Sequence, residues 1–112
     1  MDLQPQLPMA NPQVENGYTR IANELLEAIC NKLTNSTWIR LLLWTIRLTY
    51  GFNRKEVQSN YGAYATKLNL TKDTVKHALL DLQDRKIVIL AVITKEQFVI
   101  TINKNYELWK VE

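Results

Sequence analysis

The chain has little of what metal centres and small catalytic sites are built from. Its 112 residues contain one cysteine, Cys30, and one histidine, His77. One cysteine excludes an internal disulfide. One Cys and one His fall short of the roughly four ligands of a zinc centre, so neither a metal nor another cofactor is expected. No histidine-based triad is visible. The three glycines, Gly17, Gly51 and Gly62, are scattered and form no GxGxxG or Walker A loop. Carboxylate pairs such as Glu24 and Glu27 fall on a surface helix face with no second element aimed at them. An enzyme is therefore the least supported class. No stretch approaches the ~18 uninterrupted apolar residues of a membrane span. The N-terminus lacks a basic region followed by an apolar run, so no secretory leader is expected and a cytoplasmic location is the default.

What remains is 46% apolar and 22% charged, an ordinary composition for one globular domain. All three prolines, Pro5, Pro8 and Pro12, lie in residues 1–17. Proline removes a donor and biases its predecessor towards extended conformations, so residues 1–17 read as an extended or disordered tail and residues 18–112 as the domain. The net charge of +3 is uneven: residues 1–33 carry −2, residues 34–76 carry +5, and residues 77–112 cancel. Localised positive charge is the footprint of a phosphate-binding surface, although solvated side chains give the same count.

The pattern of apolar residues predicts the elements. Thr19 reads as the cap of a helix over residues 20–33, with Ile21, Ala22, Leu25, Ala28, Ile29 and Leu33 as its apolar stripe and Cys30 as a small buried residue. Asn35-Ser36 opens a second helix over residues 36–50, ended by Gly51 as a left-handed cap. This helix is apolar nearly all round, which fits a central core helix or, failing full coverage, a self-association surface. Val57, Ser59 and Tyr61 alternate as a short strand. A short helix over residues 62–68 and a three-residue turn follow. Thr71 then caps a helix over residues 72–85 whose inner face is Val75, Ala78, Leu79 and Leu82. The β-branched run at residues 87–93 and the run at residues 98–102, joined by Thr94-Lys95-Glu96-Gln97, predict a β-hairpin. Tyr106, Leu108 and Trp109 are expected to pack back on the body. The fold class is thus mainly α with a small β-hairpin, a winged helix-turn-helix.

In that layout the second helix of the turn presents its first residues to a DNA major groove. Lys72, Thr74, Lys76 and His77 supply donors there, with Lys76 or His77 in reach of guanine N7 and O6. Thr71 stands at the cap. Asp73 accepts from cytosine or serves only as a first-turn carboxylate. Arg54, Lys55 and Lys67 are candidate phosphate contacts, and Lys95 and Gln97 stand at the tip of the wing.

The run at residues 11–29, containing Asn16-Gly17-Tyr18-Thr19-Arg20-Ile21 and Asn23-Glu24-Leu25-Leu26-Glu27-Ala28, is similar to the opening signature of the N-terminal domain of phage replication protein O, the lambda-type origin-binding initiator. Arg47-Leu48-Thr49-Tyr50-Gly51-Phe52-Asn53-Arg54-Lys55 resembles its second signature, with Phe52 where the family usually has tryptophan. Thr71-Lys72-Asp73-Thr74-Val75 and Asn103-Lys104-Asn105-Tyr106-Glu107-Leu108-Trp109 also fit. The resemblance implies a winged-helix domain that binds repeated double-stranded DNA sites at a phage or prophage replication origin in the bacterial host cytoplasm, typically as a homodimer. Full-length members add a C-terminal region that recruits the helicase loader. This chain ends at Glu112 without that region, so it reads as a fragment or a short relative and helicase-loader recruitment by it is doubtful. Two other readings stay open: a winged-helix transcriptional regulator, and a winged-helix protein-interaction module without DNA binding.

Overall fold

The computed structural model describes residues 9–111; residues 1–8 of the expected tail lie outside them. Four α-helices and a three-stranded antiparallel sheet share one core. The N-terminal stretch makes a 3-10 turn at Val14–Asn16 and reverses at Gly17, whose φ of 115° suits a residue without a Cβ. Helix α1 spans Asn23–Lys32 and buries Leu25, Ala28 and Ile29.

Two expectations about α1 fail. Its N-cap is Ala22, without a side-chain bond, because residues 18–22 are not helical. Thr19 instead lies against Gly51, where an added Cβ would come 3.1 Å from its Oγ1. Cys30 is exposed: at about 100° per residue it falls just off the stripe that Ile29 and Leu33 bury.

Helix α2, Ser36–Thr49, begins with the Asn35 side chain accepting a bond from the Trp38 N–H at 3.1 Å. It buries Leu41, Leu42, Thr45, Ile46 and Thr49 and packs on the sheet and the two helices that follow. The two buried hydroxyls are satisfied within the helix, Thr45 donating to the Leu41 carbonyl and Thr49 to that of Thr45. Gly51 is not the left-handed cap. It sits in a 3-10 turn, Tyr50–Phe52, and the left-handed residue is Asn53 at φ 61°. A Cβ at Gly51 would meet Arg47 Nη1 at 2.7 Å, so the end of the Arg47 side chain would have to move aside.

Strand β1, Glu56–Asn60, leads into helix α3, Tyr61–Leu68, and then helix α4, Lys72–Asp84. Strands β2, Val88–Val92, and β3, Gln97–Ile102, form the expected hairpin. The sheet is larger than that hairpin, because β1 pairs antiparallel with the free edge of β3, giving the order β1-β3-β2. Alternation turns Val57, Leu90 and Ile100 inwards in one register row, with Phe98 beside Tyr61 and Tyr64 at ring separations of 5.0 and 5.6 Å.

The C-terminal segment returns to the body through Lys110 N–H donating to the Arg85 carbonyl and Trp109 Nε1 donating to that of Asn103. Trp109 is buried, whereas Leu108, expected inside, faces solvent, because the 3-10 turn Tyr106–Leu108 points it away.

Candidate functional site

Helix α3 starts with Asn60 accepting from the Ala63 N–H at 2.7 Å and ends at Asn69, which takes the left-handed conformation at φ 57°. Leu70 N–H closes the turn on the Ala65 carbonyl at 2.9 Å. Arg40, reaching across from α2, donates to the Leu68 carbonyl and so ties down the same turn. Thr71 then caps α4 as its sequence position predicts: Oγ1 accepts from the Thr74 N–H at 3.1 Å and bonds the Thr74 hydroxyl at 2.8 Å. Asp73 lies in the first turn, where a carboxylate complements the helix dipole.

One face of α4 is core: Val75, Leu79 and Leu82 are fully buried and Ala78 nearly so. Burying each leucine contributes about 1.5–3 kcal/mol, so the helix cannot roll without losing that contact. The opposite face is therefore held outward. Lys72, Asp73, Thr74, Lys76 and His77 are all exposed on its first two turns. Lys76 Nζ stands 6.0 Å from the Tyr61 ring centre. Burial, and secondarily the Glu96 carboxylate, push the Tyr61 phenol above its ordinary pKa, so it stays neutral near pH 7.

The turn between β2 and β3 meets this end of α4. Glu96 accepts the Tyr61 N–H on its backbone carbonyl at 3.1 Å, and its carboxylate lies 3.3 Å from Lys72 Nζ. The turn is internally braced by Thr94 Oγ1, which accepts from the N–H groups of Glu96 and Gln97. Lys95 and Gln97, both exposed, flank Glu96 and so adjoin the tip of α4.

Of the residues singled out in the sequence, Thr71, Lys72, Asp73, Thr74, Lys76, His77, Lys95 and Gln97 are gathered at one end of the fold. Lys67 lies on the last turn of α3, its Nζ 4.9 Å from the Trp44 ring centre. Arg54 and Lys55 are elsewhere. They precede β1 at the end remote from Tyr61 and Glu96, so roughly 13 Å of strand separates them from the α4 tip. The sequence reading missed Glu96 and Arg40. Neither contact follows from local spacing, since Arg40 and Leu68 are 28 residues apart.

Among the described residues, no group of three or more His, Cys, Asp or Glu side chains is placed to hold a metal, and no helix is long and apolar enough to cross a membrane.

Comparison with curated proteins and with solved structures returned no match. The family model of bacteriophage replication protein O matches residues 10–109, which include α1 to α4, the whole sheet and the C-terminal turn. On that match the chain belongs to the bacteriophage replication protein O family.

Proposed function

We propose that this chain is a winged-helix, sequence-specific double-stranded DNA-binding domain that acts at a phage replication origin. Family membership ties it to bacteriophage replication. The element order α2-β1-α3-α4-β2-β3 with sheet order β1-β3-β2 supports the winged-helix reading, with α4 as recognition helix and the β2–β3 turn as wing. The observation that carries the DNA reading is the tip of α4. A helix anchored by Val75, Leu79 and Leu82 presents Lys72, Thr74, Lys76 and His77 to solvent beside Lys95 and Gln97.

In this docking the α4 tip enters the major groove, where Lys76 and His77 read base edges, and Lys72, Lys95 and Lys67 meet phosphates. The role is binding rather than catalysis. A homodimer would place two such tips on a repeated or palindromic site, within the cytoplasm of the host cell.

Selection of bound sequences from a random duplex pool tests the reading. The expected result is an enriched motif whose affinity falls steeply as salt rises. Lys76→Ala and His77→Ala should each flatten preference at one position of that motif, at a cost of about 1–3 kcal/mol for the preferred base. Failure to retain any duplex at low salt would overturn it, and a motif found in promoters but not in the origin would redirect it to transcriptional control.

A further inference from the structure

The two runs that flank α1 and β1, around Tyr18 and Phe52, take no part in the duplex docking above, yet the fold brings them together. They line two adjoining clefts at the end of β1 remote from the α4 tip. The first, of about 350 Å³, is bounded by Tyr18, Tyr50, Phe52 and Asn53. The second, of about 290 Å³, is bounded by Arg54, Lys55 and Lys104. Arg20, Tyr50 and Asn53 belong to both, so the two open into each other.

Their chemistry differs. The first is aromatic and open: Tyr18 is 65% and Phe52 56% exposed. The second sets the cations Arg20, Arg54, Lys55 and Lys104 around an apolar patch of Ala22 and Leu25, and no carboxylate is among the residues lining either cleft. Two guanidinium groups lie over the Phe52 ring, Arg47 at 4.9 Å and Arg54 at 5.2 Å from its centre, and Arg54 Nε also donates to the Leu48 carbonyl at 3.1 Å. Tyr18 is the most exposed aromatic side chain lining the cleft.

A flat aromatic face beside a cluster of cations suits one ligand chemistry, a nucleobase attached to a phosphate. In a duplex both faces of each base are stacked on neighbours, so only an unpaired strand offers a base to Tyr18. The cleft lies at the opposite end of β1 from the α4 tip, about 13 Å of strand away. We propose that this double cleft binds unpaired DNA, with a base stacked on Tyr18 and the adjoining phosphates held by Arg20, Arg54, Lys55 and Lys104. The site would hold an opened strand while α4 keeps its duplex.

The test is fluorescence anisotropy of the full chain with a labelled dT 12-mer, an abasic 12-mer of equal charge and a duplex, with thymidine monophosphate as competitor. The expected result is that the dT strand binds roughly tenfold or more tighter than the abasic strand, in line with the value of one stacked base. Tyr18→Ala should abolish that difference, Tyr18→Phe should restore it, and duplex affinity and the thermal midpoint should not change in either. Equal binding of dT and abasic strands, no binding of dT, or a Tyr18→Ala protein that still prefers dT would each overturn the proposal. Displacement of the strand by thymidine monophosphate at concentrations matching the strand's own affinity would also overturn it, in favour of a free nucleotide. Because the duplex arm is read separately, failure here leaves the α4 docking standing, and failure of that docking leaves this site testable.

Discussion

Lys72 Nζ lies 3.3 Å from Glu96 Oε1, joining the first residue of α4 to the turn between β2 and β3. Both side chains are more than half exposed, at 61% and 56%. An ion pair in such a setting contributes only about 0–1 kcal/mol to stability, so its effect is chiefly on where Lys72 points and what it is free to bind. A DNA phosphate and Glu96 compete for the same ammonium. Glu96→Gln should therefore leave the thermal midpoint nearly unchanged while raising duplex affinity a few-fold at low salt. Anisotropy titrations at several salt concentrations check this. A Glu96→Gln protein that binds more weakly would show that the pair orients Lys72 for binding instead of withholding it.

Thr71 holds the start of the same helix. Its hydroxyl satisfies the Thr74 N–H, which has no partner within the helix. Thr71→Ala should cost about 1 kcal/mol, lowering the melting temperature of a domain this size by roughly 4–8 °C. Thr71→Ser should recover most of that loss. Thermal unfolding followed by circular dichroism separates the two variants.

Much of this end of the fold is legible in the sequence because its determinants are local. The Thr71 cap, the stripe of Val75, Ala78, Leu79 and Leu82, and the two β-branched runs of the hairpin lie within one or two turns of the residues they organise. What escapes is long-range. The alternation at Val57 and Ser59 reveals a strand but not that its partner is β3, some 40 residues on. Thr19 looks like a helix cap, yet packing against Gly51 takes it. Cys30 and Leu108 read as core, and their position just off an apolar stripe or on a short 3-10 turn turns them out. The candidate site divides in the same way: the α4 residues are contiguous in sequence, whereas Lys72 with Glu96, and Tyr18 with Phe52, are neighbours only once the chain is folded.

Gln83 shows how a helix residue completes the sheet. Its Oε1 accepts the Leu90 N–H at 2.6 Å, on the edge of β2 that β3 does not pair. A part-buried N–H left without an acceptor costs about 1–3 kcal/mol. Gln83→Ala should destabilise by that amount, while Gln83→Glu, which keeps the acceptor, should lose much less. Urea unfolding of the three proteins at pH 7 checks the ordering. An equal loss in both variants would mean that the amide matters through its N–H₂ group.

Tyr64 links α3 to α2 through a buried pair of hydroxyls. Thr45 Oγ1 already donates its proton to the Leu41 carbonyl, so the 2.6 Å contact with Tyr64 has the phenol as donor. Burial pushes the Tyr64 pKa up to about 12. The unfolded phenol titrates near 10. Because the folded value is the higher, the native state binds the proton more tightly. Its contribution is complete below about pH 10 and is lost as pH climbs from there towards about 12. Tyr64→Phe removes both the bond and the titration. At pH 7 it should be less stable than the wild type by about 0.5–1.5 kcal/mol, the net value of a buried hydrogen bond. Above pH 10 its stability should fall less steeply, retaining only the decline due to Tyr50 and Tyr61, whose pKa values burial also raises. Urea unfolding from pH 7 to 11.5 reads the crossing of the two curves directly, and parallel curves would mean that the Tyr64 phenol ionises alike in the folded and the unfolded chain.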